Sequence, residues 1–158
     1  MRLFALAVAL ACAPMAPALA QTQTESAASR HDVNVQRIVS PSGIEAWLVS
    51  DSTVPMVVLR AFWRGGSAIE PVGAVGVTGV MTDMLTEGSG AMNANAFKER
   101  LQDLNMSLSF GASWDGVGMS LTTLSENRDA AFEMARMALY EPRFDAEPLA
   151  RIKRQMLV

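Results

Sequence analysis

Residues 76–90, GVTGVMTDMLTEGSG, decide how the rest of the chain reads. Val77, Val80, Met81, Met84 and Leu85 recur at the i, i+3, i+4, i+7 and i+8 spacing of one helical face. Gly88 and Gly90 supply a stop, because glycine readily takes the left-handed conformation that ends helices. The spacing predicts an amphipathic helix here, with Gly79, Thr82 and Asp83 on its outward side.

Upstream, the chain reads as strands. VNVQRIV (33–39) and IEAWLVS (44–50) alternate around the Pro-Ser-Gly turn at 41–43, and PMVVLRAFWR (55–64) is a longer apolar run. Short strands joined by turn residues predict antiparallel pairing between neighbours. Gly65-Gly66 ends the third strand, and SAIEPVGAVG leads into the helix.

Downstream, NANAFKERLQDL is a second helix capped at Asn93 or Asn95. MSLSFGAS and GVGMSLTTL alternate as strands around Trp114-Asp115-Gly116, where Asp-Gly favours a tight hairpin. A third helix runs from near Asn127 to Tyr140, before Pro142. A fourth starts near Asp145 and is still running at Val158, so the domain is expected to be incomplete at its C-terminal end. The order βββ, αα, ββ, αα predicts an α+β domain over 34–158: a mixed, largely antiparallel sheet with helices packed on one face.

The first twenty residues, MRLFALAVALACAPMAPALA, are of another kind. Arg2, the apolar run Leu3–Ala13 and the Ala18-Leu19-Ala20 site form a secretory signal peptide cleaved after Ala20, too short to span a membrane. Residues 21–33 are polar and aperiodic, a flexible leader. Cleavage removes Cys12, the single cysteine, so the mature segment has no disulfide and no thiol ligand or nucleophile. Export without disulfides fits a periplasmic protein. The formal net charge of −3 gives no basic footprint for nucleic acid.

SGIEAWLVSDSTVPMVVLRAFWRGGSAIEP followed by GVTGVMTDMLTEGSG resembles the N-terminal domain of the pitrilysin/insulinase-type zinc metallopeptidases, which include the mitochondrial processing peptidase. The markers are the Gly-Ser of RGGS, Glu70, Gly76 at the helix start, Gly88-Ser89 at its end, and LSENRDAAFEMARMALYEPRFD. The similarity covers roughly residues 33 to 158. Active members of that family carry H-x-x-E-H on this helix. Histidines at i and i+4 reach one Zn²⁺ from one helical face, and the glutamate makes the bound water a nucleophile.

Counting from both glycine ends places those positions at Gly79, Thr82 and Asp83. Gly79 has nothing to ligate with, Thr82 is no carboxylate base, and one carboxylate at Asp83 makes no metal site. The family's third ligand, a glutamate on a later helix, is expected just past Val158. His31, the only histidine, sits in the leader and reads as a solvated residue. The family's substrate-holding asparagine is matched by Ser109. The resemblance therefore implies a catalytically degenerate domain, needing no cofactor where active relatives take zinc. Its partners would be peptide and an active, zinc-bearing homologous subunit.

Two alternatives stay open: an enzyme whose working site lies beyond residue 158, and an unrelated exported α+β domain. Met81, Met84, Met134 and Met137 fall on apolar stripes and read as core packing. RIKRQ (151–155) reads as a solvated helix face. Trp114 fits either a partner contact or packing over the hairpin.

Overall fold

The computed structural model describes residues 33–156. The expected signal peptide with its Ala20 cleavage site, the expected leader through residue 32 with His31, and the last two residues lie outside the described residues. The described residues divide into two compact units, one up to Ser50 and one from Asp51 onward.

In the first unit, β1 (Val35–Val39) and β2 (Glu45–Val49) form an antiparallel hairpin with Val35 opposite Val49. Gly43 takes φ +85° in the turn, a conformation glycine accepts without strain. The Ser40 hydroxyl accepts from the amide of Ile44 at 3.0 Å and closes the turn. Arg37 donates two hydrogen bonds of 2.8 Å to Glu45, and the Trp47 indole donates a third at 2.9 Å. The predicted strands and turn are found as read.

In the second unit, β3 (Met56–Arg64) lies on the edge of a three-stranded antiparallel sheet with β7 (Gly116–Leu124) in the middle and β6 (Ser107–Ala112) on the other edge. Neighbour pairing thus describes β1–β2 and β6–β7, whereas β3 pairs with the distant β7. Both strands are nine residues long and pair over their full length, Met56 opposite Leu124 and Arg64 opposite Gly116. The register lines up Leu59, Leu121 and Leu108 in one row beneath the helices. Burying that row favours the long-range pair over a local one. The other face carries exposed Val58 and Phe62 and the row Arg60, Ser120, Ser109.

Two helices cover the Leu121 side. α2 (Ala94–Asp103) starts at Asn93, whose side chain accepts from the amide of Ala96 at 3.0 Å, settling the cap between the two expected asparagines. α3 (Arg128–Tyr140) starts and ends where expected. Phe97, Leu104, Met106, Leu108, Met119, Leu121 and Met134 form the core with three alanines of α3. α1 (Val77–Met84) and α4 (Ala146–Met156) lie beside the sheet, α1 against β6 and α4 against α1. Among the described residues no helix is long and apolar enough to cross a membrane.

Candidate functional site

α1 is positioned from both sides. At its start Gly76 takes φ +90°, and the carboxylate of Glu70 accepts from the amides of Gly76 at 2.8 Å and Thr78 at 2.9 Å. Those bonds satisfy amides that a helix start leaves unpaired. The same bonds, Gly76 first, hold the Glu70 carboxyl below its ordinary pKa. Glu70 is in turn placed by the Gly65–Ser67 bend. Gly65 donates to the carbonyl of Asp115, Ser67 to that of Ser113 and Ala68 to that of Trp114, at 2.9, 2.9 and 2.8 Å. A Cβ on Gly66 would collide with the backbone of Ser113 and Gly116. The Gly-Gly-Ser signature is therefore a clasp between β3 and the tip of the β6–β7 hairpin. Trp114, at that tip, is 75% exposed and does not pack over the hairpin.

Beyond Met84 the structure departs from the sequence reading. The helix ends at Leu85, ahead of Gly88 and Gly90. Gly88–Ser89 is instead a short strand, β4, paired with Met92–Asn93, β5. Gly88 takes φ +114°, and a Cβ there would also press on the carbonyl oxygen of Met92, so both conformation and space call for glycine. Ser89 is wholly buried, its hydroxyl directed at the carbonyls of Met137 and Glu141 at the end of α3.

The orientation of α1 also differs. Thr82, expected outward, is 2% exposed, while Val77 and Met81 of the expected apolar stripe are 50% and 37% exposed. The reason is tertiary: α4 lies along α1, so the polar-looking side becomes an interhelical surface. There the Thr82 hydroxyl donates to the carbonyl of Gly79 at 2.9 Å, which lets a polar group be buried. Gly79 faces the side chain of Met156, and Asp83 stays exposed.

Two of the three degenerate motif positions nonetheless share one place with Ser109. A cleft of about 250 Å³ is lined by Thr82 and Asp83 of α1, Ser109 of β6, and Arg151 and Gln155 of α4. Leu108, Phe110 and Ile152 supply its apolar wall. Gly79 is not part of the lining.

Glu87 also lines the cleft and was not singled out in the sequence. Its side chain is 9% exposed, Oε1 accepts from Lys98 of α2 at 2.9 Å, and Oε2 forms an ion pair with Arg151 without an aligned hydrogen bond. Burial pushes the Glu87 carboxyl up, but the bonds and charges of Lys98 and Arg151 outweigh it and leave it below the ordinary carboxylate range. Arg151, half-buried, therefore pairs with the buried Glu87, a correction to the solvated face read from RIKRQ; Lys153 and Arg154 are exposed as read. Nothing local in MLTEGSG signals a buried acid, since its two cations come from other helices.

The donor set does not fit zinc. Gly79 has no side chain, the Thr82 hydroxyl is committed to its own helix, and Asp83 stands alone. Among the described residues no group of three His, Cys, Asp or Glu is placed to hold a metal ion.

Comparison with known proteins agrees with this geometry. No family model matches the chain. The crystal structure of a peptidase M16 inactive domain from Pseudomonas fluorescens superimposes with a TM-score of 0.73 and 31% identity, over 79% of this chain and 31% of that one. A protease from Helicobacter pylori shares the fold, with a TM-score of 0.65 and 14% identity over 79% of this chain and 30% of its own. Among curated proteins, the non-peptidase homolog YmxG of Helicobacter pylori is 27% identical over 104 residues, 66% of this chain and 24% of that protein. The chain spans 24–31% of the length of these relatives. In sequence and in fold it is thus similar to an inactive peptidase M16 domain, the resemblance that its glycine and serine markers carry.

Proposed function

We propose that this chain is the non-catalytic partner of an active, zinc-bearing homologue in the periplasm, binding peptide without a metal or a hydrolytic step of its own. One observation carries the reading: the cleft beside the degenerate motif opens on β6, an edge strand of its sheet. Among the described residues β6 has one hydrogen-bonded neighbour, β7. An edge strand offers unpaired amides and carbonyls on which an extended peptide can add as a further strand. Ser109 and Asp83 then lie beside the peptide, and among the described residues no group of three His, Cys, Asp or Glu stands there to hold a water-activating metal.

The testing measurement is peptide hydrolysis by the protein alone and mixed one-to-one with an H-x-x-E-H homologue from the same organism. Silence alone, with turnover on mixing above that of the homologue by itself, is expected. Chelator-sensitive turnover by this protein alone overturns the reading, and so does a mixture no faster than the homologue.

A further inference from the structure

The cleft is too small for a folded partner, and its charges are unevenly satisfied. Arg151 and Glu87 are already paired, with Lys98 completing the cluster. Drawing Arg151 toward a ligand would strip its counter-charge from Glu87 Oε2, which is buried and has no other donor. Leaving a buried carboxylate oxygen uncompensated is costly. Asp83 differs: it is exposed on the cleft wall and makes no ion pair among the described residues. The free charge of the cleft is thus negative.

We infer that Asp83 makes this cleft a subsite for a lysine or arginine side chain of an extended peptide laid along β6. The inference rests on the peptide-binding reading above and names the class of peptide. Alternate side chains of an added strand point to the same side, so one residue can enter the cleft while its neighbours follow the sheet edge. The aliphatic stem of a basic side chain suits the wall of Leu108, Phe110 and Ile152, and its charged head suits Asp83.

The test uses fluorescein-labelled, end-blocked peptides of Ser, Thr and Ala with one central guest, Lys, Gln or Glu. Binding to the whole protein, to Asp83→Asn and to Asp83→Lys is read by anisotropy. The Lys guest is expected to bind about three- to fivefold more tightly than the Gln guest, the range of a solvent-accessible ion pair. That preference is expected to shrink with added salt, to vanish in D83N and to turn toward the Glu guest in D83K. Equal binding of Lys and Gln guests, a Lys preference that survives D83N, or a Glu preference in the parent overturns the subsite while peptide binding stands. Binding of no guest overturns peptide binding itself, and the subsite with it.

Discussion

The hydroxyl of Ser89 is directed at the carbonyl of Met137, so the strand that follows the degenerate helix is fastened to the end of α3. The same hydroxyl reaches the carbonyl of Glu141 at 3.1 Å, while the amide of Gly90 donates to Glu141 at 2.9 Å and that of Glu141 to Met137 at 2.8 Å. Both carbonyls keep a donor if the hydroxyl is removed. Ser89→Ala is therefore expected to cost about 1 kcal/mol, the net worth of one intramolecular hydrogen bond. Urea unfolding with an unchanged slope checks this; a neutral substitution would show that the fastening adds nothing.

Gly66→Ala is expected to destabilise toward the upper end of about 1–3 kcal/mol. The atoms a Cβ would strike belong to the backbone of Ser113 and Gly116, which cannot rotate away. Thermal unfolding measures the loss. The tryptophan emission of Trp114, at the other side of the clasp, should change with it.

Gly79→Ala has the opposite sign. Position 79 is the third residue of α1, and a Cβ there makes ordinary contact with the methyl end of Met156, 3.4 Å away. Alanine is favoured over glycine at a helical position, so a gain of about 0.5 kcal/mol is expected in this first turn. Loss of stability would mean that α1 and α4 need the glycine to approach.

Glu87 makes stability depend on pH. Lys98 and Arg151 hold its folded pKa below the unfolded value, so folding favours the ionised form. The contribution is complete above an unfolded glutamate pKa of about 4.3 and is lost as pH falls through the lower folded value. Glu87→Gln should be less stable than the parent at pH 7, at the low end of about 1.5–3 kcal/mol because both cations are partly in water. The gap should narrow as pH falls below about 4. A gap independent of pH would assign the loss to packing alone.

Much of the fold was legible because its signals are local. The Asp115-Gly116 turn, the Asn93 cap, the α3 boundaries and the β1–β2 hairpin each follow from a few neighbouring residues. Three features were not. α1 stops at Leu85, ahead of both glycines, and Glu87 just beyond it turns to Lys98 and Arg151, which stand on other helices. The facing of Thr82 is set by α4, which turns a polar side inward against the local hydrophobic pattern. The partner of β3 is set by the shared burial of Leu59 and Leu121. Of the candidate site, Asp83, Thr82 and Ser109 were legible as positions and do share a cleft, whereas the ion cluster on its floor was invisible.

The clasp at Gly66 and the carboxylate of Glu70 fix where α1 begins without using any residue from its centre. In a saturation library of this chain the two groups should separate into distinct tolerance profiles. Substitutions at Gly66, Glu70, Gly88 and Ser89 would deplete folded protein, while those at Gly79 and Asp83 would pass. Sequences can therefore diverge at Gly79 and Asp83 while the frame around them stays recognisable. The same frame offers a protein engineer a helix whose middle can be rewritten.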